Sequence, residues 1–399
     1  MNATKPTRRS FLHLVGGAGL AGLLPAPLAF AATGTDRYLM LVVLRGALDG
    51  LAAVVPYHER RLMPLRRELV PPAPGAAGGA LALGVDGFAL HPSLSHLHES
   101  WAQGELALLH AAASPYRERS HFDGQDVLES GATRVYGSSS GWLNRALGRM
   151  PEPLEAAAIA PALPLVLRGD AHAVTWAPSV LPEPEIDTFE RLLRLYENDE
   201  ALRAALLDAR ALEQAAGGMD VDAREVARGR SYRPLMESGA KLIASGAAGV
   251  VVLSLSGWDT HSNQGAGSGA LAQRLEQLDD GLLAVQTALA DKWDRTAVLV
   301  VTEFGRTVKV NGSRGSDHGT GGVAFLLGGA VQGGTVVGDW PGLSSSALYE
   351  GRDLYPANDL RSLFKGVLRD HLGVERSDLD RIVFPESATV PPMGRLIRA

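Results

Sequence analysis

Residues 249–269 read GVVVLSLSGWDTHSNQGAGSG. The run 250–255 is apolar but for Ser254, short and rich in valine, which fits a strand covered on both faces, as in a parallel sheet. It then breaks on Gly257 and passes at once into Asp259, Thr260 and His261 before the chain loosens into glycine. A strand-to-helix connection needs one turn residue and one helix cap, which Asp259 or Asn263 alone supplies. It does not need an acid, a hydroxyl and an imidazole in a row.

The same pattern recurs along the chain. The apolar run 38–44 leads into LRGALDG (44–50), which carries Asp49. The run 106–110 leads into AAASPYRERSHFDGQD (111–126), with Arg117, Ser120, His121 and Asp123. The run 296–302 leads into TEFGRT (302–307), with Glu303 and Arg306, and then into GSRGSDHGTGG (312–322), with Asp317 and His318. A further strand is expected over 323–327, followed by glycine-rich turns and a hairpin around 334–340.

Helical periodicity lies between these runs, at 91–105, 120–131, 233–245, 269–291 and 359–374. Ser120 is a good cap for the second of these, and Gly131 a good stop. Alternating strand and helix patterns imply an α/β fold, with a mainly parallel central sheet and helices on both faces. Residues 185–228 stand apart as a long, charged amphipathic stretch, expected to form a helical cap inserted beside the sheet.

In an open parallel sheet, the residues just past the carboxyl ends of the strands share one crevice. Asp49, Arg117, Ser120, His121, Asp259, His261, Glu303, Arg306, Asp317 and His318 are therefore expected in one place. Taken singly each has a plainer reading: Asp49 a turn residue, Ser120 a cap, Glu303 and Arg306 a surface ion pair, Asp317 and His318 loop residues. Their common position after strands is the stronger signal. Crowded carboxylates repel one another unless a cation sits among them. Carboxylates with several imidazoles suit one or two divalent ions, Zn²⁺ or Mn²⁺ ahead of Ca²⁺ or Mg²⁺.

Composition narrows the chemistry. The 399 residues contain no cysteine, which excludes disulfides, thiolate metal sites and a cysteine nucleophile. A net charge of -6 with no long basic block argues against a nucleic-acid partner. The N-terminal stretch TKPTRRSFLHLVGGAGLAGLLPAPLAFAATG (4–34) has paired Arg8 and Arg9, a Gly/Ala-rich apolar segment broken by Pro25 and Pro27, and Ala29-Phe30-Ala31. This is the layout of a cleaved leader, residues 1–31, and resembles a twin-arginine export signal, which carries folded proteins across the membrane. The mature chain, 32–399, is then one α/β domain with the insertion at about 185–228, periplasmic or secreted and without a membrane span. The twin-arginine export machinery is its expected partner.

The leader together with LRGALDG, SPYRERSHFDGQD, GWDTH, TEFGRT and DHGTGG resembles the exported bacterial family catalogued as domain of unknown function 1501, grouped with the alkaline phosphatase and sulfatase superfamily. The resemblance covers nearly the whole mature chain. It implies an alkaline phosphatase-like fold and a metal-dependent site for phosphoryl or sulfuryl transfer. It also implies that Asp49 is the acid after the first strand and Ser120 a nucleophile or bridging ligand. Asp259 and His261 would bind one metal, with Glu303, Asp317 and His318 as further ligands. Two departures stand out. Phe304 occupies a place where the superfamily has a ligand histidine, which weakens one of two metal sites. ASPYR (113–117) echoes a sulfatase motif but has Ala113 at the reactive position. The nucleophile is left open between Ser120, Ser114 and a metal-activated water. His121 or His318 would protonate the leaving oxygen, and Arg117 and Arg306 would hold the transferred group.

The expected function is hydrolysis of phosphate or sulfate esters, on a small molecule or on the cell envelope. The alternatives are a non-catalytic metal-binding envelope scaffold and a metal-dependent transferase acting on envelope polysaccharide.

Overall fold

The computed structural model describes residues 36–85, 87–178, 186–216 and 231–398. The leader around Arg8 and Arg9 and the end of the insertion, 217–228, lie outside them. The strands in chain order are β1 (Tyr38–Arg45), β2 (Val54–Pro56), β3 (Leu81–Ala82), β4 (Phe88–Leu90), β5 (Leu106–Ala113), β6 (Ala156–Ile159), β7 (Ala173–Trp176), β8 (Val250–Ser256), β9 (Thr296–Thr302), β10 (Gly322–Leu327), β11 (Thr335–Val337) and β12 (Asn358–Asp359).

The main sheet has the order β11-β5-β10-β9-β1-β8-β6-β7, with β12 also beside β5. β1 lies between β8 and β9 and pairs with both in parallel, which explains why its apolar run has no polar face. Leu39, Leu41 and Val43 point into a core shared with Leu128, Trp142, Phe364 and Phe384. There Trp142 stacks on Phe364 with ring centroids 4.7 Å apart. On the opposite face, the helix Arg233–Ala244 comes against Met40 and Val251 at Gly239. Helices thus cover both faces of a mainly parallel sheet.

β10 runs against its two neighbours, β9 and β5, while every other pairing in this sheet is parallel. The reason lies in the connection. Residues 303–321 contain no helix, so the chain cannot cross over to a parallel strand and instead turns back. Both ends of this loop are consequently at the edge where β1, β5 and β8 end. Direction aside, the strand expected at 323–327 is present. The hairpin expected around 334–340 is not: Thr335–Val337 instead pairs in parallel with β5. The short strands β6, which is alanine-rich, and β7 extend the sheet where no strand was expected. Within the 185–228 stretch lie the helices Ile186–Leu195 and Glu200–Ala216. The second is tied to β7 by a hydrogen bond from Trp176 Nε1 to Glu213 Oε2, 2.6 Å.

The 303–321 loop closes on itself through backbone bonds from Gly305 N to Thr320 O (2.9 Å), Gly319 N to Gly305 O (2.8 Å) and Thr307 N to Asp317 O (2.8 Å). A Cβ on Gly305 would lie 1.9 Å from the Gly321 carbonyl oxygen, and one on Gly319 2.4 Å from the Arg306 carbonyl carbon. Backbone faces backbone at both points, so neither side can yield by a rotamer change. Gly305→Ala is expected to cost about 1–3 kcal/mol of stability, the usual range for overpacking. Gly312→Ala, with nothing within 4 Å of its added Cβ, should be close to neutral. Denaturant midpoints of the two variants check this; equal midpoints would contradict it.

Candidate functional site

Four chain segments meet at the carboxyl edge of the sheet, and three imidazoles and one carboxylate lie at their centre. The helix His121–Ser130 starts from an extended Ser120 and stops at Gly131, whose φ of 68° is left-handed. His121 and Gln125 are one turn apart on this helix and so share a face. Both reach Glu303 at the end of β9. His121 Nδ1 donates to Glu303 Oε1 at 2.8 Å and Gln125 Nε2 donates to the same oxygen at 3.2 Å. Gly46 N donates there too, at 2.8 Å, while Thr302 Oγ1 donates to Oε2 at 2.9 Å. Burial would raise the Glu303 carboxyl, but these bonds, that of His121 foremost, hold it below the usual range. Glu303 is therefore an ionised acceptor.

The other two imidazoles are fixed the same way. His318 Nδ1 lies 2.9 Å from the carbonyl oxygen of Arg119, which can only accept, so Nδ1 carries the proton. His261 Nδ1 lies 3.1 Å from Asp317 Oδ1. Asp317 is held below the ordinary carboxyl range, first by the Asn311 side-chain amide and also by His261. Each ring has thus committed its Nδ1–H, and each Nε2 offers a lone pair.

Those lone pairs converge. His261 Nε2 and His318 Nε2 are 2.9 Å apart, and Asp259 Oδ1 is 3.0 Å from the first and 3.2 Å from the second. His121 Nε2 faces Asp259 Oδ2 at 3.5 Å and is buried without a hydrogen-bond partner. Burial would raise Asp259, yet Arg306 and the imidazoles keep its carboxyl low. Hydrogen bonding to Glu303 raises His121, whereas burial lowers His318.

This donor set fits a divalent cation. Facing lone pairs and a carboxylate repel unless something positive lies between them, and His121 Nε2 otherwise has no partner. Ligand atoms of His121, Asp259 and His318 lie within 4.8 Å of one another. Ligands at about 2.0–2.2 Å from one ion stand at most about 4.4 Å apart, so small side-chain movements close the group. An imidazole that binds metal through one nitrogen usually donates the other N–H to a carboxylate or carbonyl, as all three do here. His261 adjoins the group through His318 and Asp259.

The remaining residues expected in the site are placed differently. Asp49 caps the following short helix at Ala52 N and is paired with the buried Arg66; Gln264 Nε2 also donates to it at 2.7 Å. Its lone pairs are spent on these partners. Glu303 and Asp317 stand behind His121 and His261. Arg306 is buried and turned inward, donating to the carbonyls of Ala47, Ser316 and Trp258 and, at 2.5 Å, to Asp259 Oδ1. Ser114 is buried in a turn, its oxygen 3.3 Å from Tyr116 N. Ser120, one residue before His121, makes no side-chain bond to its own helix start; its N–H donates to the Tyr116 phenol at 3.0 Å, and its hydroxyl bonds the same phenol. Arg117 bonds the carbonyls of Ser114 and Tyr116, and burial disfavours its charge. Phe304 stacks on the His121 ring at 5.0 Å and forms one wall of the group. Sequence reasoning missed Gln125, Asn311 and the Arg119 carbonyl. Only Gln125 left a signal, its four-residue spacing from His121.

The sequence profile of the family described as protein of unknown function (DUF1501) matches residues 81–383. No curated protein matches the chain. Among solved structures, the chain is similar to the lipoteichoic acid synthase of Listeria monocytogenes, at 9% identity and a TM-score of 0.37, over 90% of this chain and 77% of that one. It is also similar to the alkaline phosphatase of the Antarctic bacterium TAB5, at 11% identity and 0.32, over 73% and 91%. A third is murine ectonucleotide pyrophosphatase/phosphodiesterase 5 in complex with AMP, at 10% identity and 0.29, over 68% of this chain and 57% of that one. Likenesses this slight carry no weight for the activity of this chain.

A cation must replace any proton at Nε2, so binding strengthens as the imidazoles become neutral. His318 is lowered and loses its proton early. His121 is raised, chiefly by Glu303, and loses its proton later than His318. Mn²⁺ affinity is therefore expected to keep climbing above about pH 6.5, the ordinary histidine value. Glu303→Gln removes the charge that holds the proton and should move the midpoint of that climb downward. Calorimetric titrations across the pH range check this; an unmoved midpoint would contradict it.

Proposed function

The chain belongs to the DUF1501 family of proteins of unknown function, and from the site it carries we propose that it is a metal-dependent hydrolase of phosphate or sulfate esters. The observation that carries this reading is the convergence of three Nε2 atoms, each with its Nδ1–H already committed, on the Asp259 carboxylate. His121, Asp259 and His318, with His261 beside them, would hold one Zn²⁺ or Mn²⁺. A cation bound there supplies a Lewis acid that draws in the oxygens of the ester and offsets the charge growing on the transferred group.

The chain's own residues do the rest. Glu303 and the Arg119 carbonyl fix the tautomers and ring positions of His121 and His318. Arg306 holds Asp259 ionised and in place instead of clamping the substrate. Asp259 and His261 keep roughly two-fifths of their side chains exposed, so the group faces solvent and a substrate can reach it. Ser120 is the favoured nucleophile, because it sits beside His121 at the start of a helix, where developing negative charge is favoured, and its one side-chain partner among the described residues is the Tyr116 phenol. His121 Nδ1–H and Glu303 form a dyad that can steady charge on the imidazole without exchanging its tautomer.

Purified folded protein loaded with Zn²⁺ or Mn²⁺ should turn over at least one of an aryl phosphate, a phosphodiester and an aryl sulfate. His121→Ala and His318→Ala should lose both metal and turnover. Ser120→Ala should keep the metal and lose about a thousandfold or more in kcat; an unchanged kcat would remove Ser120 from the role. Tight metal binding with no turnover of any ester would favour the envelope scaffold over the hydrolase.

We also infer export by the twin-arginine machinery. It is supported by Arg8-Arg9, the apolar segment and the small-residue cleavage site. Among the described residues, no helix is long and apolar enough to cross a membrane. Replacing Arg8 and Arg9 by lysines keeps charge but loses guanidinium geometry. Precursor should then accumulate in the cytoplasm; a normal exported yield would show the pair to be incidental.

A further inference from the structure

Two hydroxyls lie directly beneath the metal group. Thr260 stands between Asp259 and His261, and Ser316 immediately precedes Asp317 and His318. The side chains of Asp259, His261 and Asp317 are 43%, 42% and 50% exposed, whereas Thr260 is 5% exposed and Ser316 wholly buried. Each loop thus sends its ligands outward and its hydroxyl inward.

Both hydroxyls end on one atom. Thr260 Oγ1 donates to Gln264 Oε1 at 2.9 Å, and Ser316 Oγ donates to the same oxygen at 2.7 Å. An amide oxygen has two lone pairs, so these two bonds fill it. On the other side of the amide, Gln264 Nε2 donates to Asp49 Oδ2 at 2.7 Å. Asp49 is itself held by the buried Arg66 and by Ala52 N. The amide cannot be turned over, because its oxygen would then face the Asp49 carboxylate. Gln264 is fully buried, so each of these bonds is made out of reach of water.

The backbones of the two loops also run together. Ser316 N donates to the Thr260 carbonyl at 3.2 Å, Gln264 N to the Arg314 carbonyl at 3.0 Å, and Asn263 N to the Ser313 carbonyl at 2.9 Å. A Cβ on Gly315 would lie 2.4 Å from the His261 carbonyl oxygen, so the loops touch backbone to backbone there. These bonds join the loops to each other, and the Gln264 amide joins the pair to Asp49 after β1. Above them His261 Nε2 and His318 Nε2 stand 2.9 Å apart. Facing lone pairs repel, so unbraced loops would spread in the metal-free protein, and closing them again would weaken binding.

We propose that Gln264 is a positioning residue: its amide clamps the loops that carry Asp259, His261 and His318 and holds these groups at metal-binding distance before the ion arrives. This rests on the metal site of the reading above and extends it to a residue outside the cluster.

Amide hydrogen exchange of the metal-free protein and Mn²⁺ titration of the same samples test the clamp. Gln264→Leu keeps much of the volume and deletes all three side-chain bonds. The amides of residues 264 and 316 should then exchange about tenfold or more faster, with the helix 121–130 unchanged, and Mn²⁺ affinity should fall about tenfold or more, the scale of one or two lost buried hydrogen bonds. Because Gln264→Leu also strips a bond from buried Asp49 and can hinder folding, Thr260→Val removes one arm alone and should weaken Mn²⁺ several-fold. Thr260→Ser restores the hydroxyl and should return the wild-type affinity. Leu396→Ala, a buried position bonded to Gln332 beyond the far end of β10, lowers stability generally and should leave Mn²⁺ affinity unmoved. Unchanged affinity in both Gln264→Leu and Thr260→Val overturns the clamp, whatever the exchange rates, as does an equal loss in Thr260→Ser or Leu396→Ala. The two readings fail separately: faster loop exchange in variants of a protein that takes up no Mn²⁺ keeps the clamp and sinks the metal site, while tight Mn²⁺ binding that no substitution alters does the reverse.

Discussion

The buried guanidinium of Arg306 holds the site together. It donates to the carbonyls of Ala47 after β1, Trp258 after β8 and Ser316 before β10, and to the Asp259 carboxylate. Three loops from separate parts of the chain are thereby brought to one point. A buried cation is costly unless paired and fully hydrogen-bonded, so its partners cannot drift far. Asp259 is fixed as an ionised acceptor in the middle of the edge, and the imidazoles assemble around it.

That arrangement depends in turn on the direction of β10. Because the 303–321 connection has no helix, the chain returns antiparallel, and Asp317 and His318 come back to the edge that Glu303 has just left. The close backbone contact at Gly305 and Gly319 makes this return tight enough for Arg306 and His318 to pair as neighbouring strands do. His318 then meets His261 from the β8 loop and His121 from the helix after β5. Carboxylates form the layer behind: Glu303 and Asp317 do not enter the cluster but orient the rings that do.

Much of the fold was legible because its central strands are largely apolar runs, as at 38–44, 106–110, 250–255 and 296–302. The polar residues placed right after them are the ones that gather at the edge. Strand direction was not legible, since an apolar run reads the same whichever way it points. The four-residue strands β6 and β7 were too short to give a pattern. Roles within the cluster were also hidden. Asp49 reads like a ligand because nothing in the sequence marks Arg66, seventeen residues on, as its buried partner. Arg306 reads like an exposed clamp because a single charged residue in a loop carries no signal of burial. That His121, Asp259 and His318 would meet at one edge was legible, but which nitrogen of each ring is free depends on partners such as the Arg119 carbonyl that only the folded chain supplies.

The proposed function requires one cation bound by His121 Nε2, His318 Nε2 and the Asp259 carboxylate, with His261 Nε2 beside them. A crystal of the Mn²⁺-loaded protein, measured for anomalous scattering at the metal edge, tests it most directly. The expected result is a single strong peak in bonding contact with His121 Nε2, His318 Nε2 and the Asp259 carboxylate, with His261 Nε2 adjoining and Glu303 still bonded to His121 Nδ1. A peak on Asp49 or Glu303 in place of the imidazoles, or no peak at this edge of the sheet from fully loaded protein, would contradict it.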